Sequence, residues 1–154
     1  MKTMIKIVPD ANLLLSGMLS HSQSRTRQIL NLALAKKVVM YGSKETYDEF
    51  CEKVMMPKFS KYWKKQIFTP EKIILDYKAI VNIMDTKGIL ENVNVVKKDP
   101  DDDCYFKIAK SCGAKIIITG DKAVLEVKKF EDIRVVEPSK FLDSFSKISS
   151  GNLF

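Results

Sequence analysis

Histidine is nearly absent from this sequence: its 154 residues include a single histidine, His21, which lies in a polar stretch. Because a Ser-His-Asp or Cys-His mechanism needs an imidazole, nucleophilic triads are disfavoured, and so is a structural zinc site. The cysteines Cys51, Cys104 and Cys112 are odd in number and lack metal-type spacing, so we expect free thiols in a reducing compartment. With only 6 glycines and 5 prolines, the chain is not collagen-like or of low complexity.

Long apolar runs are also missing. None approaches the roughly 18 to 20 residues that span a bilayer, and Asp10 interrupts the first apolar segment before a secretory signal could develop. We therefore expect a cytoplasmic protein without a membrane segment. Hydrophobic residues make up 45% and charged residues 29%, which suits one soluble domain with a sizeable core. We expect residues 1–146 to form this domain and residues 147–154 to be a flexible tail.

Negative charge is in the minority. The chain has 26 lysines and arginines against 19 aspartates and glutamates, a formal charge of +7. A small basic domain attracts polyanions such as RNA, DNA or acidic partners. A lysine-rich solvated surface explains the same excess equally well, so charge alone does not decide the partner.

Short β-branched segments alternate with helical patterns along the chain. We predict strands at residues 4–8, 38–41, 115–119 and 133–136. We predict helices at residues 11–19, 25–36, 44–55, 59–67, 70–87, 100–112, 121–127 and 138–146. Residues 91–96 are ambiguous, with an extended segment as one interpretation. The alternation predicts a single α/β domain, with a parallel central sheet of four or five strands covered by helices on both faces.

Two of the predicted strands end directly on an aspartate. Asp10 follows the first strand, and Asp121 follows the third. Ligands of parallel sheets bind beyond the carboxyl ends of the strands, so both acids should lie at the functional edge. A loop aspartate or a helix N-cap explains either acid alone, but two acids at equivalent places favour a site.

Four more acids, Asp99, Asp101, Asp102 and Asp103, surround the start of a predicted helix. Carboxylates there complement the helix dipole, and Asp99 has the position of an N-cap. Tyr105 lies on the inward face of this predicted helix, and Asp102, three residues earlier, lies on or beside the same face. Asp102 is therefore the best candidate to face a cleft. Asp101 is the next candidate, and Asp103 points roughly the other way.

Glu49 lies on a predicted helix with Glu45 and Lys53 on the same face, the pattern of an ordinary surface ion pair. Its local sequence therefore indicates a solvated acid. If three or four acids of the chain converge, their mutual repulsion requires a cation. A site built from oxygens, without histidine or thiol, favours Mg²⁺ or Mn²⁺. Such ions can hydrolyse a phosphodiester, and with the basic charge this pattern indicates a nuclease.

The sequence around these acids resembles the PIN domain family, specifically its VapC-like branch, described as toxin components of toxin–antitoxin systems. Four motifs carry the resemblance in order: Ile5 to Asn12, Ser43 to Glu49, Asp99 to Asp103, and Thr119 to Asp121. Together they cover nearly the whole chain, from about Met4 to Leu142.

The resemblance implies an acidic metal site and supporting polar residues. The implied metal and catalytic residues are Asp10, Glu49, Asp102 and Asp121, supported by Asn12 and Thr119. It raises Glu49 from a surface acid to a site residue, and it favours Asp102 over its neighbours. The family implies a Mg²⁺- or Mn²⁺-dependent endoribonuclease with RNA as substrate, a cognate antitoxin and a homodimer. The alternatives are a non-catalytic RNA- or protein-binding PIN-like module and a DNA-directed nuclease of the flap type.

A basic and aromatic segment follows the third predicted helix. Its lysines, Lys58, Lys61, Lys64 and Lys65, alternate with aromatic side chains. They could hold phosphates while the rings stack on bases. In the alternative interpretation the rings pack on the core or at a dimer or antitoxin surface, while the lysines face water.

Overall fold

The computed structural model describes residues 4–20, 23–61 and 68–149. The strands are β1 (Ile5–Pro9), β2 (Val38–Ser43), β3 (Val81–Met84), β4 (Ile116–Ile118), β5 (Lys129–Phe130) and β6 (Ile133–Val136). The α-helices of these ranges are α1 (Ala11–Leu19), α2 (Arg25–Leu34), α3 (Lys44–Val54), α4 (Pro70–Ile80), α5 (Cys104–Cys112), α6 (Lys122–Leu125) and α7 (Pro138–Ser149). Short 3-10 turns occupy Pro57–Phe59 and Pro100–Asp103.

One sheet of six strands organises these elements, in the order β3-β2-β1-β4-β6-β5. All neighbouring strands run parallel except β5 and β6. The α/β class with a mostly parallel sheet is thus confirmed. Two edge strands, β3 and the two-residue β5, bring the strand number above the predicted four or five.

The core lies on both faces of the sheet. Ile7 and Val8, adjacent on β1, point to opposite faces and are completely buried in separate apolar clusters. Helices α1 to α4 and Phe141 of α7 pack on the Ile7 face, whereas α5 and α6 pack on the Val8 face. Both faces of the sheet are covered, as the alternation of strands and helices predicted.

Local signals set the ends of the helices. The side chains of Ser24, Ser43 and Thr69 each accept a hydrogen bond from a backbone amide three residues later, at 3.1, 3.4 and 3.2 Å. These three side chains are therefore the N-caps of α2, α3 and α4. Gly113 follows α5 with φ of 79°, a left-handed conformation that glycine adopts without steric cost.

Several predicted boundaries were wrong. The helix predicted to reach residue 87 ends at Ile80, and the next residue, Val81, already begins β3. Residues 91–96, which the sequence left ambiguous, form a turn and a bend with two residues of irregular backbone between them, and no strand. The last helix extends to Ser149, into the predicted tail, while residues 150–154 lie outside the described ranges. Of the helix predicted at 59–67, residues 62–67 also lie outside them.

None of the helices in the ranges 4–20, 23–61 and 68–149 is both long enough and apolar enough to cross a membrane. The three cysteines are free thiols, as expected.

Candidate active site at the carboxyl edge of the sheet

Asp10 lies at the centre of the carboxyl edge, where β1 ends beside β4. Its backbone amide donates to the carbonyl of Ile118 at 3.1 Å and continues the ladder between the two strands by one bond. The side chain is only 5% exposed. Its Oδ1 accepts from the amide of Leu13 at 2.8 Å, so Asp10 caps α1, and its Oδ2 accepts from the Thr119 hydroxyl at 2.5 Å. Both carboxylate oxygens are therefore fixed in position.

Thr119 also connects Asp10 to the second acid at this edge. Its hydroxyl oxygen accepts from the amide of Asp121 at 3.0 Å, and Thr119 itself is completely buried. The exposed Asp121 caps α6 through a 2.8 Å bond from the amide of Ala123. The structure thus brings both strand-end acids to one edge, and each acid is also a helix N-cap.

Asp102 contributes the third acid, from the 3-10 turn that precedes α5. Its Oδ2 is buried and has no hydrogen-bond partner in the part of the chain that the structure describes. Burial raises the pKa of this carboxyl group to about 7, and the charges of Asp99, Asp121, Glu49 and Asp10 contribute to the same shift. Asp102 therefore lies within the electrostatic field of every other acid of the predicted site.

The neighbours of Asp102 have different roles. Asp99 accepts from the amide of Asp101 at 3.2 Å and caps the 3-10 turn. Asp101 is exposed. Asp103 is buried, and its Oδ1 accepts from the amides of Val95 and Val96 at 3.1 and 2.6 Å, so it holds the preceding loop against α5. The helical spacing predicts that Asp103 points away from Asp102.

Glu49, on α3, forms the ion pair that its local sequence indicates, and it also lines the cleft that contains Asp102. Its Oε1 forms the i,i+4 ion pair with Lys53 at 3.1 Å that the local pattern indicates. The Tyr105 hydroxyl donates to Oε2 over a long 3.5 Å. The Glu49 side chain is 37% exposed and lines the same cleft as Asp102.

The acids make the surroundings of this cleft strongly negative. Burial raises the pKa of Tyr105 far above its usual value, and the charges of Asp10 and Glu49 add to the effect. Burial also raises the pKa of Cys104 to about 12, with contributions from Glu49 and Asp102. Tyrosine and thiol alike are therefore neutral at physiological pH, and neither is an activated nucleophile.

Two hollows adjoin the acids. Glu49 and Asp102 line a cleft of about 1110 Å³, whose walls carry seven carboxylates but only three lysines. Asp10 and Asp121 line a smaller hollow of about 350 Å³, together with Asn12, Thr26, Gly120 and Pro138. The four predicted acids thus lie near one edge of the sheet, but two of them line the large cleft and two line the smaller hollow.

A divalent cation fits this donor set only with few protein ligands. Within residues 4–20, 23–61 and 68–149, no three histidine, cysteine or acidic side chains lie close enough together to hold one ion. Mg²⁺, however, commonly keeps several waters and uses one or two carboxylates plus substrate phosphates. The buried, unpaired oxygen of Asp102 lacks the positive partner that such an ion provides. The residues present therefore fit an ion held by one or two carboxylates.

Sequence reasoning missed three contributors. Helical spacing places Tyr105 on the inward face of its helix, yet its hydroxyl also reaches Glu49. Thr26 and Pro138, at the starts of α2 and α7, line the smaller hollow. Helix starts following strand ends or polar breaks were the available signal for both, but only the tertiary fold places them beside Asp10.

The predicted substrate-binding lysines are only partly described. Lys58 is exposed and its Nζ lies 5.1 Å from the centre of the Phe59 ring, while Phe59 packs against the core. This arrangement matches the interpretation in which the ring packs inward and the lysine faces water. Lys61 is exposed too, and Lys64 and Lys65 lie outside the described residues.

Comparisons with known proteins agree with this architecture. A family model described as PIN domain matches residues 6–123. An uncharacterized protein of Methanocaldococcus jannaschii, MJ1680, is 30% identical over 160 aligned positions that cover 97% of each chain. The crystal structure of PAE2754 from Pyrobaculum aerophilum is similar with a TM-score of 0.57 and 12% identity, over 92% of this chain and 96% of that chain.

The structure of FitAB bound to an IR36 DNA fragment is similar with a TM-score of 0.55 and 17% identity, over 86% of this chain and 94% of that chain. At these identities the two structures show a shared fold. The family match confirms the resemblance carried by the four acidic motifs. This chain belongs to the PIN domain family, whose members are generally nucleases.

Proposed function

We propose that this protein is a Mg²⁺- or Mn²⁺-dependent endoribonuclease and the toxin of a toxin–antitoxin pair in the cytoplasm. The observation that carries the nuclease proposal is the buried, unpaired Oδ2 of Asp102, in the field of three further acids at the carboxyl edge. A buried carboxylate oxygen without a partner is costly, and a cation compensates it. The family's general nuclease activity supports the same conclusion.

Asp102 is the proposed principal metal ligand, with Asp10, Asp121 and Glu49 as the other acids that hold the ion directly or through water. A bound Mg²⁺ or Mn²⁺ would stabilise the charge that develops on the phosphodiester and lower the pKa of water. In-line attack by water would leave 5′-phosphate and 3′-hydroxyl ends.

The other residues of the edge position these acids. Thr119 fixes the Asp10 carboxylate and the Asp121 backbone at the same time. Lys53 holds one oxygen of Glu49, and the Tyr105 hydroxyl approaches the other from the buried side. Glu49 still faces the cleft, where it can accept a hydrogen bond from the attacking water. Asn12 is exposed beside Asp10 and can donate to substrate.

RNA is the proposed substrate because the net charge of +7 attracts a polyanion and because the motifs resemble the VapC-like branch. The same resemblance supports a cognate antitoxin and a homodimer as partners. The FitAB and PAE2754 likenesses support the fold on which this proposal rests. We also propose that residues 1–146 form one domain followed by a flexible tail, although α7 continues to Ser149.

The test compares four samples on a mixed RNA: wild type, EDTA-treated wild type, Asp10→Asn and Asp76→Asn. Asparagine at position 10 keeps an oxygen that can cap α1, so the fold is retained while a charge is lost. Asp76 is a control because it pairs with Lys72 on the surface of α4, away from the edge. Cleavage should need Mg²⁺ or Mn²⁺, disappear with Asp10→Asn and persist with Asp76→Asn. Full activity of Asp10→Asn would remove the proposed site.

A non-catalytic RNA- or protein-binding module is the second candidate. It is favoured by the absence, within the described ranges, of three ligating side chains around one point. Calorimetry with Mn²⁺ separates the two candidates, because a pure binder does not need a metal at these acids. Comparing RNA, single-stranded DNA and flap substrates tests the DNA-directed alternative in the same assay.

A further inference from the structure

In the segment that follows Asp121, the acidic and the basic side chains differ in how they are paired. Three of its carboxylates form ion pairs with lysines of other segments: Glu126 with Lys98 at 2.9 Å, Glu131 with Lys110 at 2.5 Å, and Asp132 with Lys115 at 3.1 Å. Within residues 4–20, 23–61 and 68–149, Lys128, Lys129 and Arg134 form no ion pair. These three acids are thus already neutralised, and three cations remain at the end of the sheet formed by β5 and β6.

Two of these cations oppose each other directly. Lys129 of β5 is the register partner of Arg134 of β6 in the antiparallel pair. Partners in an antiparallel ladder point to the same face, and like charges in this position are destabilising. Both side chains are exposed, and Arg134 lies between the buried Ile133 and Val135, on the face of the sheet that α7 covers in part. The edge therefore concentrates positive charge at some cost in stability.

Two of these cations, Lys128 and Arg134, border a hollow of about 720 Å³ between β6 and α7. Its strand wall carries Lys128 and Arg134. Its helix wall is mixed, with Lys140 beside the carboxylates of Glu137 and Asp143. Positive charge in this hollow is therefore concentrated on the wall formed by the sheet, not on the wall formed by α7.

The hollow begins where the candidate active site ends. Val136 lines it, and the carbonyl of Val136 accepts a hydrogen bond from the amide of Thr119 at 3.1 Å. Pro138, two residues later, lines the smaller hollow that contains Asp10 and Asp121. A nucleic-acid strand that leaves Asp10 and Asp121 and passes Pro138 would therefore reach Arg134 and Lys128 along the surface of β6. This continuity favours the nucleic-acid strand that is cut at the acids over an unrelated acidic protein.

The acidic cleft needs such a surface nearby. With seven carboxylates and three lysines on its walls, the cleft repels a phosphate backbone wherever no cation intervenes. Lys44, one of those three lysines, is already paired with Asp48 at 3.0 Å. Because carboxylates outnumber lysines on these walls, we expect most of the affinity for a polyanion to come from cations outside the cleft.

We propose that Lys128, Lys129 and Arg134 form a phosphate-binding surface, the β5–β6 basic edge, that holds the backbone of single-stranded RNA beside the acidic site. This inference rests on the proposed function, because it takes RNA as the ligand. It differs from the substrate-binding prediction for the lysines at 58–65, and it places substrate contacts on the opposite end of the sheet from β3.

The test measures binding without cleavage. Fluorescent 20-nucleotide oligouridine is titrated in EDTA with Asp10→Asn protein, at several salt concentrations, alone and with the added triple substitution Lys128→Asn, Lys129→Gln, Arg134→Gln. Asparagine tolerates the left-handed φ of 63° at position 128. The control triple removes equal charge elsewhere: Lys36→Asn, Lys37→Gln and Lys78→Gln. Lys36 matches Lys128 because its φ is 60°.

We expect the edge triple to raise the Kd of RNA by about tenfold over the control triple, and to reduce the salt slope by about 0.7 for each phosphate that the protein ceases to neutralise. Equal Kd values for the two triples, with thermal melts that show both proteins folded, would overturn the proposal. Polyglutamate, titrated in the same way, serves as a model of an acidic protein. If the edge triple loses polyglutamate binding but keeps its RNA affinity, the edge binds an acidic protein and the proposal is overturned.

The failure of the proposed function has a separate signature. If wild-type protein with Mg²⁺ or Mn²⁺ cuts no RNA, the nuclease proposal fails, whereas the binding experiment in EDTA is unaffected. A tenfold loss of RNA affinity would then still support the basic edge, as part of a binding module. If the wild type cleaves RNA but the two triples bind RNA with equal affinity, the proposal for the basic edge fails and the nuclease proposal stands.

Discussion

The Thr119 hydroxyl and the Asp10 carboxylate, 109 positions apart in sequence, are joined by a buried hydrogen bond of 2.5 Å. The same hydroxyl oxygen accepts from the amide of Asp121. One side chain therefore sets the position of two acids that come from neighbouring strands, which makes Thr119 a positioning residue of the candidate site.

Replacement of Thr119 by valine tests this relationship. Valine keeps the shape of threonine but leaves Asp10 Oδ2 and the Asp121 amide without their partner, so we expect a loss of about 1–3 kcal/mol in the free energy of unfolding. RNA cleavage should fall as well. Urea denaturation and cleavage assays check both effects. Thr119→Ser keeps the hydroxyl and should restore most of the activity; if valine and serine behave alike, the bond has no positioning role.

Asp102 and Asp103 are adjacent but should respond oppositely to substitution. Asp103→Ala leaves the amides of Val95 and Val96 without their acceptor, so the metal-free protein should lose about 1–3 kcal/mol. Asp102→Asn removes an unpaired carboxylate from a negative region and should stabilise the metal-free protein at pH 8. The exposed control Asp101→Asn should change stability by less than about 0.5 kcal/mol. Destabilisation by Asp102→Asn would contradict this assignment.

The raised pKa of Asp102 makes stability depend on pH. In the unfolded chain the carboxyl has its usual value of 3.8, whereas in the fold its pKa is about 7, raised mainly by burial. Between these values the native state binds more protons than the unfolded state, so stability falls as pH rises. Above pH 7 the full loss is present and stays constant. Denaturation of metal-free protein between pH 4 and 8 should show this decline, and Asp102→Asn should flatten it; parallel profiles would contradict the shift.

The β5–β6 basic edge predicts a variant that is more stable but binds less well. Lys129→Glu replaces a like-charge pair with an opposite-charge pair across the ladder to Arg134, which should stabilise the fold by about 0.2–1 kcal/mol. The same change should weaken RNA binding. Thermal denaturation and RNA titration measure the two effects. Lys37→Glu, which lies directly before β2 in the other half of the sheet, serves as the charge-matched control, with little change in either quantity.

Much of the architecture could be predicted because local signals coincide with tertiary ones. Ser24, Ser43 and Thr69 mark helix starts through side-chain chemistry that acts within three residues. Asp10 and Asp121 follow buried β-branched strands, and parallel pairing then brings them to one edge. These features need no long-range information beyond the direction of the strands.

What the sequence could not supply depends on pairing and burial. β3 was hidden inside a predicted helix because α4 passes into it at Val81 without a turn or a breaker. The inward position of Asp102 was only a helical-spacing argument until the fold showed its Oδ2 buried. The basic edge was invisible, since it depends on which distant lysines neutralise the nearby acids and on the register that sets Lys129 opposite Arg134.

The most direct test of the central claim is RNA cleavage in Mn²⁺ by two neighbouring variants, Asp102→Asn and Asp101→Asn. They remove the same charge from adjacent positions of one 3-10 turn, but only Asp102 has the buried, unpaired oxygen. We predict that cleavage is lost with Asp102→Asn and retained with Asp101→Asn, while both proteins remain folded. Equal cleavage by the two variants would contradict the assignment of the metal-dependent site to Asp102.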